Sequence, residues 1–164
     1  MAERCPNQIF QCGEIFDPIL PNELTRQEPP IKLAMLHIEK HDSVKTNVEV
    51  NFSGTVDTIF CEPETLVKLI FRLLRVNNRT SEILETWEWS TSVIAVTSTA
   101  DGVNSSVCSS TEDREPLVIN FCDELEPYKK GCFTYIFQLI EVTTLPGSYY
   151  NISDKRFVST ALGL

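Results

Sequence analysis

The residues of this chain best suited to chemistry are its six cysteines, Cys5, Cys12, Cys61, Cys108, Cys122 and Cys132. No two of them are separated by two residues, so the sequence holds neither a zinc knuckle nor a Cys-x-x-Cys redox pair. Thiols spread in this way serve either as small buried hydrophobes in a reducing compartment or as disulfide partners in an oxidising one. The two histidines, His37 and His41, are four residues apart, a spacing that converges on a helix but not across the end of a strand. Without a Gly-x-Ser-x-Gly elbow or a fixed Cys/His arrangement, neither makes a general base. His37 is expected to pack within its strand and His41 to be solvated at a turn. The acidic run from Cys122 to Glu126 lacks the alternating ligands and the glycine of a calcium loop and reads as a solvated loop. No catalytic residue, metal or cofactor is assigned.

Trp87 and Trp89 lie at alternate positions and share a strand face with Ile83. Such a face either buries its aromatic area in a core or offers a platform to a carbohydrate, and packing is the commoner use. Four Asn-x-Ser/Thr sequons, at Asn51, Asn78, Asn104 and Asn151, carry little meaning without a secretory leader.

These residues sit in a chain of 164 residues with 14 Lys+Arg, 23 Asp+Glu and a formal net charge of -9. The length suits one domain with a substantial core. An acidic chain without a Lys/Arg block has no footprint for nucleic acid. No apolar run approaches the ~18 residues of a membrane span. The first residues lack the basic and apolar regions of a signal peptide, so the expectation is synthesis in the cytosol or a leader already removed.

The positioning elements read as strands. Val44, Thr46, Val48, Val50 and Phe52 alternate with polar neighbours, the mark of a half-buried strand. Thr65 to Val76 places Val67, Leu69, Phe71 and Leu73 on one face and is read as a strand rather than a helix, because Pro63 precedes it and Asn77-Asn78 ends it. Further strands are read at Gln8 to Cys12, Ile31 to Glu39, Val56 to Cys61, Ile83 to Ser90, Val93 to Thr99, Leu117 to Asp123, Phe133 to Val142 and Phe157 to Leu162. Short turn signals separate them, among them Pro29-Pro30, Asp101-Gly102 and Pro146-Gly147. Without helical crossovers the sheets must be antiparallel. The expected fold is therefore all-β, an antiparallel β-sandwich of jelly-roll type over residues 8–164, preceded by a short N-terminal arm over residues 1–7. Cys5 lies on that arm, and Cys108 lies in a Ser- and acid-rich loop from Thr99 to Glu115, both expected to be exposed.

Strand phase places the remaining thiols. Leu117, Ile119 and Phe121 form an apolar face, so Cys122 points the other way, and Cys132 likewise opposes Phe133, Tyr135 and Phe137. As hairpin neighbours, Cys122 and Cys132 could close an intrachain bridge at ~5.5 Å between Cα atoms. In opposite sheets they cannot meet and are available to other chains.

Several segments, Phe10 to Glu14, Ile31 to Glu39, Val48 to Gly54, Phe71 to Val76, Leu117 to Asp123, Cys132 to Val142 and the closing Ala161-Leu162, resemble a family of small β-sandwich proteins from anaerobic spore-forming bacteria. That family in turn is similar to the subunits of endospore appendages. The resemblance implies a jelly roll that polymerises into a helical fibre by sheet augmentation, with an N-terminal arm locked into neighbouring subunits by disulfides. It implies Cys5 as the arm cysteine and Cys12 as an acceptor, with Cys108, Cys122 and Cys132 as alternative acceptors. This arm is short and has one cysteine where appendage subunits have adjacent ones, so a sparsely linked fibre is also compatible. The expected function is a self-assembling structural subunit of an extracellular, spore-surface fibre made without a signal peptide in the mother cell. Its main partner is itself, with other spore-surface or fibre-tip proteins as further partners. The alternative is a non-polymeric spore-surface or carbohydrate-binding β-sandwich module using Trp87 and Trp89.

Overall fold

The computed structural model describes residues 8–40, 45–61, 64–78, 80–94 and 111–163. The arm carrying Cys5, His41, and the loop carrying Asn104 and Cys108 lie outside them.

Ten strands and no helix make up these residues. They are β1 (Gln8–Cys12), β2 (Glu14–Ile15), β3 (Glu23–Leu24), β4 (Ile31–Lys40), β5 (Thr46–Phe60), β6 (Glu64–Asn77), β7 (Thr80–Ile94), β8 (Thr111–Leu125), β9 (Gly131–Thr144) and β10 (Ser148–Gly163). All pairings are antiparallel. One sheet, here sheet A, has the order β1-β10-β5-β8, and the other, sheet B, has the order β2-β4-β9-β6-β7, with β3 also on β9. Leaving aside the two-residue β2 and β3, successive strands cross from one sheet to the other except at the β6–β7 hairpin, the wrapped order of a jelly roll, so the described residues form an antiparallel β-sandwich.

The period-two pattern of each strand delivers one apolar face to the space between the sheets. Val48, Val50 and Phe52 of β5, Val67, Leu69, Phe71 and Leu73 of β6, and Phe133, Tyr135, Phe137 and Leu139 of β9 are all buried. Phe137 is the hub. Its ring stacks on Phe52 at 4.2 Å and on Phe71 at 5.4 Å, with Phe157 and Trp87 at 6.4 and 6.3 Å, which ties the two sheets together.

Several strands run further than local pattern suggests. Residues 46–60 form one strand through Gly54, where two strands are expected, because β10 bulges opposite it between Ser153 and Arg156. That bulge, with Asp154 at φ 50°, inserts a polar run that hides the first half of β10. Residues 80–94 likewise form one strand, and β8 begins at Thr111, so residues 111–115 are strand rather than loop. The two-residue strands β2 and β3 carry no periodicity to read. Where the chain crosses from β1 to β2, Gly13 donates its N–H to the Phe157 carbonyl at 2.7 Å. A Cβ there would lie 2.8 Å from the Met35 carbonyl oxygen and 2.9 Å from the Phe157 ring, so the crossing needs glycine.

Candidate functional site

Of the edge strands, β7 and β8 are the long ones. Each pairs on one side, with β6 and β5 respectively, and has no strand on the other among the described residues. They lie in different sheets but on the same flank of the sandwich, as the edge-to-face contact of Trp87 on β7 with Phe121 on β8 shows, with centroids 6.4 Å apart. The flank is therefore a double row of unpaired backbone groups, the kind of surface that accepts another strand.

Part of it is guarded. Edge β7 carries Glu82, Glu85 and Glu88, and the first half of β8 carries Glu112, Asp113, Glu115 and Pro116. Charge and a missing N–H both discourage pairing. The second half of β8, from Leu117 to Leu125, has no proline, and its only charged residues, Asp123 and Glu124, are each held by a cation of the same chain. Its Glu124 is bound by Lys45 at 2.5 Å, a contact that raises the pKa of the lysine, and its Asp123 is neutralised from within.

That internal partner is Arg75 of β6. Its Nη1 donates to both carboxylate oxygens of Asp123 at 2.5 Å, and Tyr135 of β9 donates its hydroxyl to Asp123 Oδ2 at 2.6 Å. Glu82 of β7 accepts from Arg75 Nη2 at 2.6 Å. Arg75, Asp123 and Tyr135 are all buried, so the group joins four strands and both sheets in one polar contact. Burial works to lower the Arg75 pKa, but the Asp123 and Glu82 carboxylates more than offset it and hold the guanidinium above its ordinary value. Burial, then the Asp123 charge, pushes the Tyr135 phenol far above the usual tyrosine range. The acidic run from Cys122 to Glu126 is accordingly not a solvated loop. It is the end of β8, with Asp123 and Leu125 turned inward. The sequence held a signal for this, because Arg75 and Asp123 both occupy the apolar phase of their strands.

The cysteines fall on outer faces. Cys12, Cys122 and Cys132 are exposed free thiols, Cys61 is half-buried, and no disulfide links the described cysteines. Cys122 lies on β8 of sheet A opposite Glu49, and Cys132 lies on β9 of sheet B opposite Glu39. They are in opposite sheets, which removes the hairpin bridge between them. Cys12 ends β1, opposite Val158, on the far edge of sheet A from Cys122. A cleft of about 490 Å³ lies on the outer side of sheet A beside Cys122, with Asn47, Glu49, Glu124, Thr160 and Leu162 in its lining.

Trp87 and Trp89 turn inward, opposite Phe71 and Leu69, and pack half-buried on the core. Ile83 does not share their face. A bulge at Leu84, where Leu73 pairs with Glu85 but Leu74 pairs with Ile83, reverses the side-chain phase and leaves Ile83 exposed on the outside. His37 is exposed rather than packed in its strand, and its Nδ1 lies 2.8 Å from Thr134 Oγ1 on β9. Among the sequon residues, Asn51 donates its side-chain N–H to Asn120 on β8, and Asn78 takes the β6–β7 turn at φ 53°. Among the described residues no group of three or more His, Cys, Asp or Glu could hold a metal ion.

Fold and edges together define a jelly-roll β-sandwich in which, among the described residues, one flank has no further strand in either sheet. No protein-family model matches the chain, and a search of curated proteins finds no match.

Proposed function

We propose that this protein is a self-assembling structural subunit of an extracellular, spore-borne fibre, which polymerises through its sheet edges and its N-terminal arm. The observation that carries this reading is the flank formed by β7 and β8, two 15-residue strands with one side unpaired among the described residues. Natural sandwiches usually shorten or cover such edges, and here the second half of β8 is not shortened and its two carboxylates are bound by Arg75 and Lys45. A contact between that flank and a different edge of the next copy is head-to-tail, and a head-to-tail contact that does not close makes a filament. The resemblance of the strand motifs to a family that is in turn similar to endospore appendage subunits agrees with this use. Exposed thiols on the outer faces would convert a reversible polymer into a covalent one once an oxidising exterior is reached.

Electron microscopy of the purified protein, concentrated under oxidising conditions, tests the reading. Filaments are expected. Monodisperse particles at all concentrations would overturn it.

A further inference from the structure

We propose that the fibre contact is an antiparallel pairing of the second half of β8 with β1 of the next copy, sealed by a disulfide between Cys122 and the neighbour's Cys12. This rests on the self-assembly reading and specifies its interface.

Four observations converge on it. First, strand polarity fits. Each pairing in β1-β10-β5-β8 is antiparallel, so β1 and β8, at opposite edges of sheet A, run in opposite directions. A second copy placed edge to edge in the same orientation brings its β1 antiparallel to β8, and sheet A continues unbroken into the next subunit.

Second, side-chain phase fits. Cys122 shares its face with Glu49, Thr160 and Phe10 through the registers Glu49↔Cys122, Thr160↔Glu49 and Phe10↔Thr160, and Cys12 shares it with Val158 and Asn51. Both thiols therefore point to the outside of the same sheet, and directly opposed residues in an antiparallel pair lie on one face. Within one chain they are three strand spacings apart, roughly 14 Å at ~4.8 Å per strand, well beyond disulfide reach. Between copies, the register that opposes them also sets the neighbour's Ile9 against Leu125 on the inner face and its Phe10 against Glu124 on the outer face, at the rim of the cleft.

Third, charge selects β1 as the occupant. Strand β1, Gln8–Cys12, contains no charged residue, and the matching stretch of β8 has its Asp123 and Glu124 bound by Arg75 and Lys45 of its own chain. A symmetric, full-length antiparallel β8–β8 contact would instead set Glu112 and Asp113 of one copy against Glu124 and Asp123 of the other. Fourth, β1 has apolar area to bury: Ile9 is 50% and Phe10 65% exposed, large values for residues in a strand.

The covalent step needs an oxidant, and a low-molecular-weight disulfide supplies it. The Cys122 thiolate attacks one sulfur of that molecule, forming a mixed disulfide and releasing one small thiol. The neighbour's Cys12 thiolate then displaces the second small thiol. Two electrons pass from the protein sulfurs to the small disulfide, and the two cysteine protons leave on the two small thiols.

The test mixes equal amounts of reduced unlabelled and isotope-labelled full-length protein, allows assembly, and oxidises with glutathione disulfide. Filaments are scored by electron microscopy and disulfide-linked peptides by mass spectrometry. The expected result is filaments containing a Cys12–Cys122 peptide pair with one labelled and one unlabelled half. Cys12→Ser and Cys122→Ser should each remove that pair while leaving filaments visible. Moving the thiol two residues along the same face, in Cys122→Ser with Asn120→Cys, should not restore a link to Cys12. Filaments without the mixed pair, or with the pair only as labelled–labelled and unlabelled–unlabelled peptides, overturn this interface while the fibre reading stands. Absence of filaments under every condition overturns both.

Discussion

Asp123 and Cys122 are neighbours in sequence on one strand, yet they occupy opposite physical worlds. Asp123 faces the interior, where Arg75 and Tyr135 satisfy its carboxylate and water is excluded. Cys122 faces outward on the open edge, with its thiol exposed and unlinked. The inner face commits its chemistry within the subunit, since breaking a buried ion pair leaves an uncompensated charge. The outer face leaves its chemistry uncommitted, which a contact with another molecule requires. What separates the two is the half-turn per residue of a β-strand.

The largest way to break this contrast is to remove the buried partner of the interior charge. Asp123→Ala leaves the buried Arg75 guanidinium only the exposed Glu82 carboxylate and is expected to cost about 3–5 kcal/mol of unfolding free energy in a urea melt, as for other broken buried pairs. Replacing both partners, in Arg75→Met with Asp123→Leu, should recover most of that loss. A double variant as unstable as the single one would show that the pair itself holds the sheets together.

Gly13→Ala tests the crossing that brings β1 to its edge. A methyl group there meets the Met35 carbonyl and the Phe157 ring, and overpacking of this kind costs about 1–3 kcal/mol. Thermal unfolding should register the loss, and an unchanged midpoint would mean that the β1–β2 connection can shift.

An effect of similar size is expected from Tyr135→Phe, which removes one hydrogen bond to a charged group worth about 1.5–3 kcal/mol and changes the alkaline limb of stability. Tyr135 and Tyr150 both have pKa values raised above the ordinary 10.0, Tyr135 by burial and the Asp123 charge, Tyr150 by burial. A raised folded value means that the folded state holds its proton more tightly. The stabilisation is therefore complete below the unfolded tyrosine pKa and is lost as pH rises above it. Urea midpoints should fall from about pH 10 upward, and less steeply in Tyr135→Phe. Equal slopes in the two proteins would remove Tyr135 from the alkaline response.

Cys122→Ser is the smallest. As an exposed substitution away from the interior it should change stability by no more than about 0.5 kcal/mol. A larger loss would place the thiol in the fold rather than on its outside.

Much of the architecture was legible from alternation alone. The inward sets of β5, β6 and β9, the outward phase of Cys122 and Cys132, and the all-β class follow from period two, which a sequence displays directly. Regions where local rules are interrupted were not legible. Bulges at Leu84 and at Asp154 shift the phase by inserting residues, so simple alternation sets Ile83 on the tryptophan face and misses the first half of β10. Nothing local reveals β2 or β3, whose two residues are strands only because β4 and β9 lie beside them.

By itself, then, the sequence determined which residues face in and which face out, because that depends on neighbours along the chain. Only the tertiary structure decided which strands are neighbours. That Cys122 and Cys132 lie in different sheets, that β7 and β8 are edges on one flank, and that Arg75 reaches Asp123 across 48 residues all depend on how the strands wrap. Strand order is set by the burial of the whole set of apolar faces at once, and no single segment encodes it.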